Sequence, residues 1–374
     1  MELTHEQQLI QDTVQDFVEN EVGADVHDAD ENQTFPEDVW DGLSELDFTG
    51  MTVPEEYGGL DVDELTYSIV NEELAYGHLA VATALSVHCL ATSCIRQFGS
   101  EAHKEEWLPE MARGRPVGAF ALSEPHAGSN PAEMSTEARL EGDEYVINGK
   151  KQWITNGERG GVVILFAKTD RDDPDTVTQF LVPKDLEGVE VGKKEDKLGL
   201  RASDTTTLIF DDVRIPAENR LTEVGRGLKA AFSILTGGRV AIASQAVGVA
   251  QAALDDSVEY ANEREQFGEP IIEHQAISQK LADMQTDVQA ARLLTRDAAR
   301  KNEDRVAAKA AAMAKYFASE AAVDVANEAV QIHGGYGYTK DFDVERYYRD
   351  AKITTIYEGT SEIQKKIIAR HLKQ

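Results

Sequence analysis

The chain has 374 residues, 41% of them hydrophobic, and carries 68 Asp and Glu against 37 Lys and Arg, a net charge of −31. That length accommodates two or three domains of about 150 residues, and a field this negative disfavours nucleic acid and anionic membranes as partners. Two cysteines, Cys89 and Cys94, with no CxxC or Cys/His cluster, point to neither a disulfide framework nor a metal site.

The N-terminus, Met1-Glu2-Leu3-Thr4-His5-Glu6, is acidic and amphipathic, unlike a signal or transit peptide. No apolar run approaches the roughly 20 residues of a membrane span, so a cytoplasmic protein without membrane insertion is expected. Thr4 and Gln7 have capping-box spacing, and Leu9, Ile10, Val14, Phe17, Val18 and Val22 recur at three and four, which predicts a helix. Pro36, Pro54 and Gly58-Gly59 interrupt the pattern, which resumes as buried helices over 65–94; residues 1–116 read as a helical domain. Between 117 and 224 the period falls to two. Strands are predicted at 162–167, 178–182, 189–191 and 205–210, and Asn148-Gly149 reads as a hairpin turn between two strand-like runs. Such short strands suggest a small sandwich or barrel. From 225 to 374 helices return, at 228–263, 274–301, 305–331 and 360–372, and the alanine-rich stretch 307–314 indicates the close packing of a four-helix bundle. The acids are dispersed (28–31, 61–64, 170–175, 211–212) rather than gathered in a tail, which fits adaptation to high salt, where counterions screen self-repulsion.

Near the C-terminus the chain reads Ile356-Tyr357-Glu358-Gly359-Thr360-Ser361-Glu362-Ile363-Gln364. Ser361 and Gln364 have capping-box spacing, and Ile363, Ile367, Ile368 and Leu372 form an apolar stripe, so Glu358 stands at a helix start between an aromatic ring and a glycine. A carboxylate desolvated in that way gains basicity, as a proton-abstracting base requires; a surface loop carboxylate is the alternative. Other segments stand out in order: Phe120-Ala121-Leu122-Ser123-Glu124-Pro125 leading to Ala127-Gly128-Ser129, then Trp153-Ile154-Thr155-Asn156-Gly157, Arg264-Glu265-Gln266-Phe267-Gly268, and Gln331-Ile332-His333-Gly334-Gly335-Tyr336. Gly237 and Gly238 sit inside a helical pattern at a cost of about 1 kcal/mol each, so the space they leave serves a purpose.

This succession resembles the acyl-CoA dehydrogenase family, and within it the short-chain, butyryl-type enzymes, over about residues 3–372. The resemblance implies an α+β multidomain fold: an N-terminal α-helical domain, a middle β-barrel or sandwich and a C-terminal four-helix bundle. It implies FAD as cofactor and α,β-dehydrogenation of short- to medium-chain acyl-CoA to trans-2-enoyl-CoA, as in fatty acid β-oxidation, with electrons leaving to an electron-transferring flavoprotein. In that frame Glu358 takes the α-proton while the β-hydride passes to flavin N5. The Glu358 amide and a flavin ribityl hydroxyl hold the thioester oxygen, and Gly359 gives the substrate access at backbone level.

Phe120, Ala121, Leu122, Ser123 and Ser129 match residues lining the isoalloxazine and pyrophosphate, Ser129 also lying near CoA. Trp153, Ile154 and Thr155 match the strand against the flavin face, the Thr155 hydroxyl towards N5. Arg264, Phe267, Gln275, Gln331, Gly334 and Gly335 match residues that reach the FAD of a neighbouring subunit, while Thr360 and Glu362 match those at its adenosine end. A cofactor so shared implies an obligate oligomer, a dimer of dimers. Arg239 matches a substrate-side position. Isovaleryl- and long-chain-type members place the base where this chain has Gly238, which argues against those subclasses. Two departures are Asn130-Pro131, where the family continues with Asp, and His333, where Leu is common and packing beside the glycine turn is expected.

The bland alternatives are Trp153 as barrel core, Arg264 as a helix C-terminal cation and Gly334-Gly335 as a C-cap. The same site used as an acyl-CoA oxidase or enoyl-CoA reductase competes with the dehydrogenase reading. A non-catalytic flavin- or CoA-binding scaffold is a third reading, against which Glu358, Thr155 and Arg264 together weigh.

Overall fold

A computed structural model of the chain describes residues 3–23, 26–301 and 307–373. Thr4 caps α1 (His5–Phe17): its hydroxyl accepts from the Gln7 amide, and the Gln7 side chain accepts from the Thr4 amide, the reciprocal pair expected from the spacing. Helices α2 (Val26–Asn32), α3 (Glu37–Glu45), α4 (Glu64–Gly77), α5 (Leu79–Phe98) and α6 (Glu101–Ala112) follow. Apolar residues cover most faces of α4 and α5, and both helices are buried almost all round.

Seven strands then form one mixed sheet: β1 (Gly118–Ala121), β2 (Glu137–Glu141), β3 (Glu144–Thr155), β4 (Val162–Lys168), β5 (Val177–Pro183), β6 (Val189–Lys194) and β7 (Thr205–Pro216). Their order is β1-β4-β2-β3-β7-β6, with β5 also paired to β4. β1 runs parallel to β4, and β3 antiparallel to β2 and β7. Asn148-Gly149 is not a hairpin turn. It lies within β3, beside a register shift against β7, where the Asn148 side chain and Asp212 exchange two hydrogen bonds across the strands (2.9 and 3.0 Å). A Cβ on Gly149 would lie 2.4 Å from Thr136 Oγ1, so close strand approach, not turn geometry, requires this glycine. The hairpin bend falls between β2 and β3, after Glu141.

The C-terminal part holds α7 (Gly227–Glu263), the two-residue strands β8 (Glu265–Gln266) and β9 (Glu269–Pro270), then α8 (Gln275–Arg300), α9 (Ala307–His333), α10 (Val344–Thr354) and α11 (Ser361–Leu372). The expected start of α9 at Arg305 lies outside the described residues. On α9 the alanines 311, 314, 318, 322, 326 and 329 are buried at helical spacing, letting neighbouring backbones approach closely. Helices α5 and α7 are long and apolar enough to cross a bilayer, contrary to the expectation that no such run exists; 83% and 67% of their most apolar windows are buried in the fold, so core packing accounts for them. The apolar stripe of α11 is not its buried face: Leu372 is 71% exposed, while Ser361 and Gln364 are buried. Those two polar groups are covered because they hold the turn described next.

Candidate active site

The turn between α10 and α11 places Glu358 at φ +53° and Gly359 at φ +91°, left-handed conformations that cost nothing for glycine and strain a glutamate. Tertiary bonds hold it there. Gln364 Nε2 donates to the carbonyls of Glu358 (3.0 Å) and Gly359 (2.8 Å), and Lys315 Nζ on α9 donates to the Gly359 carbonyl at 2.9 Å. The Tyr357 hydroxyl donates to Gln245 Oε1 on α7 (3.3 Å). Because Gln364 serves these carbonyls, it makes no capping box with Ser361: the cap of α11 is Thr360, whose Oγ1 accepts from the Ile363 amide.

The Glu358 carboxylate faces α7 at Gly238. A Cβ there would lie 3.1 Å from Glu358 Oε2 and 3.3 Å from Leu90 Cδ2, so the glycine leaves room for the carboxylate. Oε2 is covered from solvent and has no hydrogen-bond partner among the described residues, although the residue as a whole keeps part of its surface open. Burial pushes the carboxyl up to about 7 against the pull of Arg239 and Lys315. Arg239 is itself buried, its Nε unpartnered among the described residues. Burial lowers Lys315 to about 8, with Glu358 opposing. A partly open carboxylate raised towards neutrality, with one oxygen lacking a donor among the described residues, is equipped to take a proton.

The middle sheet brings a second group of predicted residues together. Phe120 and Ala121 lie on β1, Phe120 half-buried against Phe166 with ring centroids 4.9 Å apart. Trp153, at φ +58°, sits where the β3–β7 register shifts, so its ring leaves the core and is 55% exposed; the barrel-core alternative does not hold. Ile154 is buried and Thr155 half-buried. Asn156 Nδ2 joins this strand end to Ala84 of α5 and Gly118 of β1, both at 3.0 Å. Leu122 is buried, Ser123 half-buried and accepting from the Gln152 amide (2.9 Å), and Ser129 exposed. After Ser129, Asn130 bonds Glu133 (2.9 Å) and Pro131 opens a short 3₁₀ turn.

A third group lies elsewhere. Arg264 caps α7, and with Phe267, Gly334, Gly335, Tyr336 and His333 it lines an open hollow of about 590 Å³. Phe267 is 96% exposed. Gly334 (φ +62°) ends α9, its amide bonding Val330 O (3.1 Å), so the C-cap role holds; Cβ atoms on Gly334 and Gly335 would meet nothing within 4 Å, so both also face open space. Gln275 and Gln331 are exposed at the neighbouring ends of α8 and α9. His333 is buried and stacked on Tyr260 (centroids 4.2 Å), the packing role expected of it. This hollow is remote from Glu358. Gly238 and Arg264 stand 26 residues apart on one helix, about 39 Å at 1.5 Å per residue. Thr360 and the exposed Glu362, by contrast, adjoin the Glu358–Gly359 turn.

Sequence reasoning missed three features. Lys315 interrupts the buried alanine face of α9, and that charge in an apolar stripe was the available signal. Glu64, at the start of α4, brings Oε1 to 3.1 Å from where Gly237 would carry a Cβ, and burial with Asp63 nearby raises its carboxyl to about 7. Glu124 and Lys151, both fully buried, pair at 2.9 Å and pin the 120–129 loop. Nothing local in the sequence marks that pair.

The chain matches the acyl-CoA dehydrogenase N-terminal domain over residues 4–115, the middle domain over 119–213 and the C-terminal domain over 225–373. It is 46% identical to the mitochondrial short-chain specific acyl-CoA dehydrogenase of Rattus norvegicus over 100% of its own length and 91% of that protein. The butyryl-CoA dehydrogenase of Megasphaera elsdenii superposes with a TM-score of 0.97 at 42% identity, covering 100% of both chains. A chain from the structure of the electron transferring flavoprotein of Acidaminococcus fermentans does so equally, TM-score 0.97 at 42% identity, over 100% of this chain and 99% of that one. With all three domains matched and the whole length covered, this chain belongs to the acyl-CoA dehydrogenase family of FAD-dependent oxidoreductases.

Proposed function

We propose that this protein dehydrogenates short- to medium-chain acyl-CoA thioesters to trans-2-enoyl-CoA, with Glu358 as the base that takes the α-proton. The observation that carries the reading is the Glu358 carboxylate itself: covered at Oε2, without a hydrogen-bond partner among the described residues, raised to about 7, and lodged where Gly238 leaves room. FAD, when bound, supplies the hydride acceptor at N5. The chain's residues fit it: exposed Trp153 and half-buried Phe120 and Thr155 offer a ring-sized surface, and Gly334 and Gly335 open a backbone cradle suited to phosphate.

The span of about 39 Å along α7 supports a shared cofactor, with Arg264, Phe267, Gln275, Gln331 and the glycine pair of one protomer serving the FAD of another in a tetramer. Thr360 and Glu362 serve the adenosine end, and Ser129, Arg239 and Gly359 the acyl-CoA. Likeness to butyryl-CoA dehydrogenase supports a short acyl chain, and likeness to a chain in an electron transferring flavoprotein structure supports such a flavoprotein as electron acceptor. The acidic composition supports a high-salt cytoplasm as its setting.

The test is anaerobic flavin bleaching by a panel of acyl-CoAs on the purified protein, with one FAD per chain. Bleaching strongest with butyryl- to octanoyl-CoA supports the assignment; no bleaching with any acyl-CoA, but reoxidation of reduced flavin by an enoyl-CoA, supports the reductase direction. Rapid oxygen consumption during turnover indicates an oxidase. Arg264→Ala should lose flavin, and a stable monomer holding full FAD would refute the shared site.

A further inference from the structure

Lys315 and Lys151 are both completely covered, yet they are used differently. Lys151 has a carboxylate at 2.9 Å. Lys315 has none within ion-pair distance among the described residues; its ammonium is directed at the Gly359 carbonyl, 2.9 Å away, from a buried helix face built mostly of alanine. An ammonium buried without a paired carboxylate is costly, and an apolar side chain of similar length would pack there at less cost.

We propose that Lys315 is a positioning residue for the base: it clamps the left-handed Glu358–Gly359 turn through the Gly359 carbonyl and supplies a positive field that keeps the Glu358 carboxylate ionised. The inference rests on the reading of Glu358 as the base. Glu358 is faced by Arg239 from α7 and by Lys315 from α9. Lys315 is faced in turn by Glu358, by Glu320 on its own helix, by Arg239 and by Glu362 of α11, and Glu320 is engaged by the Ser361 hydroxyl. Of the two cations beside the base, the guanidinium stays charged at any working pH. Lys315, brought to about 8 by burial, is the one that titrates, so base and clamp change charge over neighbouring ranges. Proton abstraction should therefore rise as Glu358 ionises and decline as Lys315 loses its proton.

The test compares native holoenzyme with Lys315→Met, Lys315→Gln and Lys315→Arg. Glu358 is titrated directly by pH-difference infrared spectroscopy, using the carboxyl band that Glu358→Gln lacks. Flavin reduction by butyryl-CoA is followed against pH in parallel. Removal of the charge in Met or Gln should move the Glu358 titration up by about one pH unit, with a loss at neutral pH on the order of tenfold. Met should add a loss that no pH restores, because the clamp is gone, whereas Gln keeps a donor and Arg should restore the native titration. Native titration in both neutral variants overturns the inference. Should those variants lose flavin, Lys315→Arg decides: a native Glu358 titration without the alkaline decline of flavin reduction sustains the proposal, and a shifted titration overturns it. If Glu358→Gln still reduces flavin, it is the assignment of the base that fails, which is a distinguishable result.

Discussion

Two carboxylates in this protein lie near a fully buried lysine and behave in opposite ways. Glu124, with no exposed surface, has Lys151 Nζ at 2.9 Å and accepts four further bonds from the amides and hydroxyls of Ser135 and Thr136, between 2.5 and 3.0 Å. Burial works to raise it, but the ammonium and those donors outweigh burial and hold it at about 2. Glu358 has Arg239 and Lys315 nearby, yet no ion pair to either within 4.0 Å among the described residues, and its Oε2 accepts nothing. There burial wins, and the carboxyl sits at about 7. The difference is in a cation at contact distance joined by directional hydrogen bonds, both of which Glu124 has and Glu358 lacks among the described residues. A saturated carboxylate is a strut, fixed in its ionised form, whereas one denied partners keeps its proton affinity for a substrate.

The sharpest way to break this contrast is to make each carboxylate neutral or unpaired. Glu358→Gln should keep FAD and acyl-CoA binding while flavin reduction in stopped flow drops by roughly a thousandfold or more, because shape and backbone donors persist and only proton abstraction goes. Its melting temperature should stay level or rise, since an unsatisfied buried charge has been removed. Lys151→Met should do the reverse, destabilising the fold by about 3–5 kcal/mol in denaturant titration, since Glu124 is left buried without its cation.

The pH dependences should also diverge. Glu124 is held below its ordinary 4.5, so the stability it lends is present above that value and is lost as pH falls towards 2. Glu358 is raised from 4.5 to about 7, so the folded state holds a proton that the unfolded chain releases; stability falls as pH rises through that window while flavin reduction increases. Melting curves of native protein and Glu358→Gln should therefore separate progressively between pH 4.5 and 7; parallel curves would mean the carboxylate is not desolvated. The smallest expected effect is global. With a net charge of −31, the melting temperature should climb by a few degrees from dilute buffer to molar KCl, and a flat or falling trend would remove the high-salt reading.

Much of this was legible beforehand. The Thr4–Gln7 cap, the helix–strand–helix order and most element positions follow from periodicity, capping and turn residues, which act over a few neighbours along the chain. The predicted helix at 228–263 begins one residue late against Gly227–Glu263, and the strand at 205–210 runs on to Pro216. Glu358 stood out because its motif is contiguous. Two misreadings share a cause: Asn148-Gly149 looked like a turn and Ser361-Gln364 like a capping box, and each time a bond to another group, Asp212 or the Glu358 and Gly359 carbonyls, took the side chain for another purpose.

The sequence by itself determined the elements, their order and the identity of the residue at the head of α11. Only the tertiary structure decided that the Glu358 carboxyl would be raised and that of Glu124 lowered. Proton affinity depends on desolvation, on the charges of Arg239 and Lys315 and on the space left at Gly238, all from helices far away in the chain. The distance of about 39 Å from Gly238 to Arg264, by contrast, already follows from the predicted unbroken helix and its rise per residue, and the structure bears that helix out.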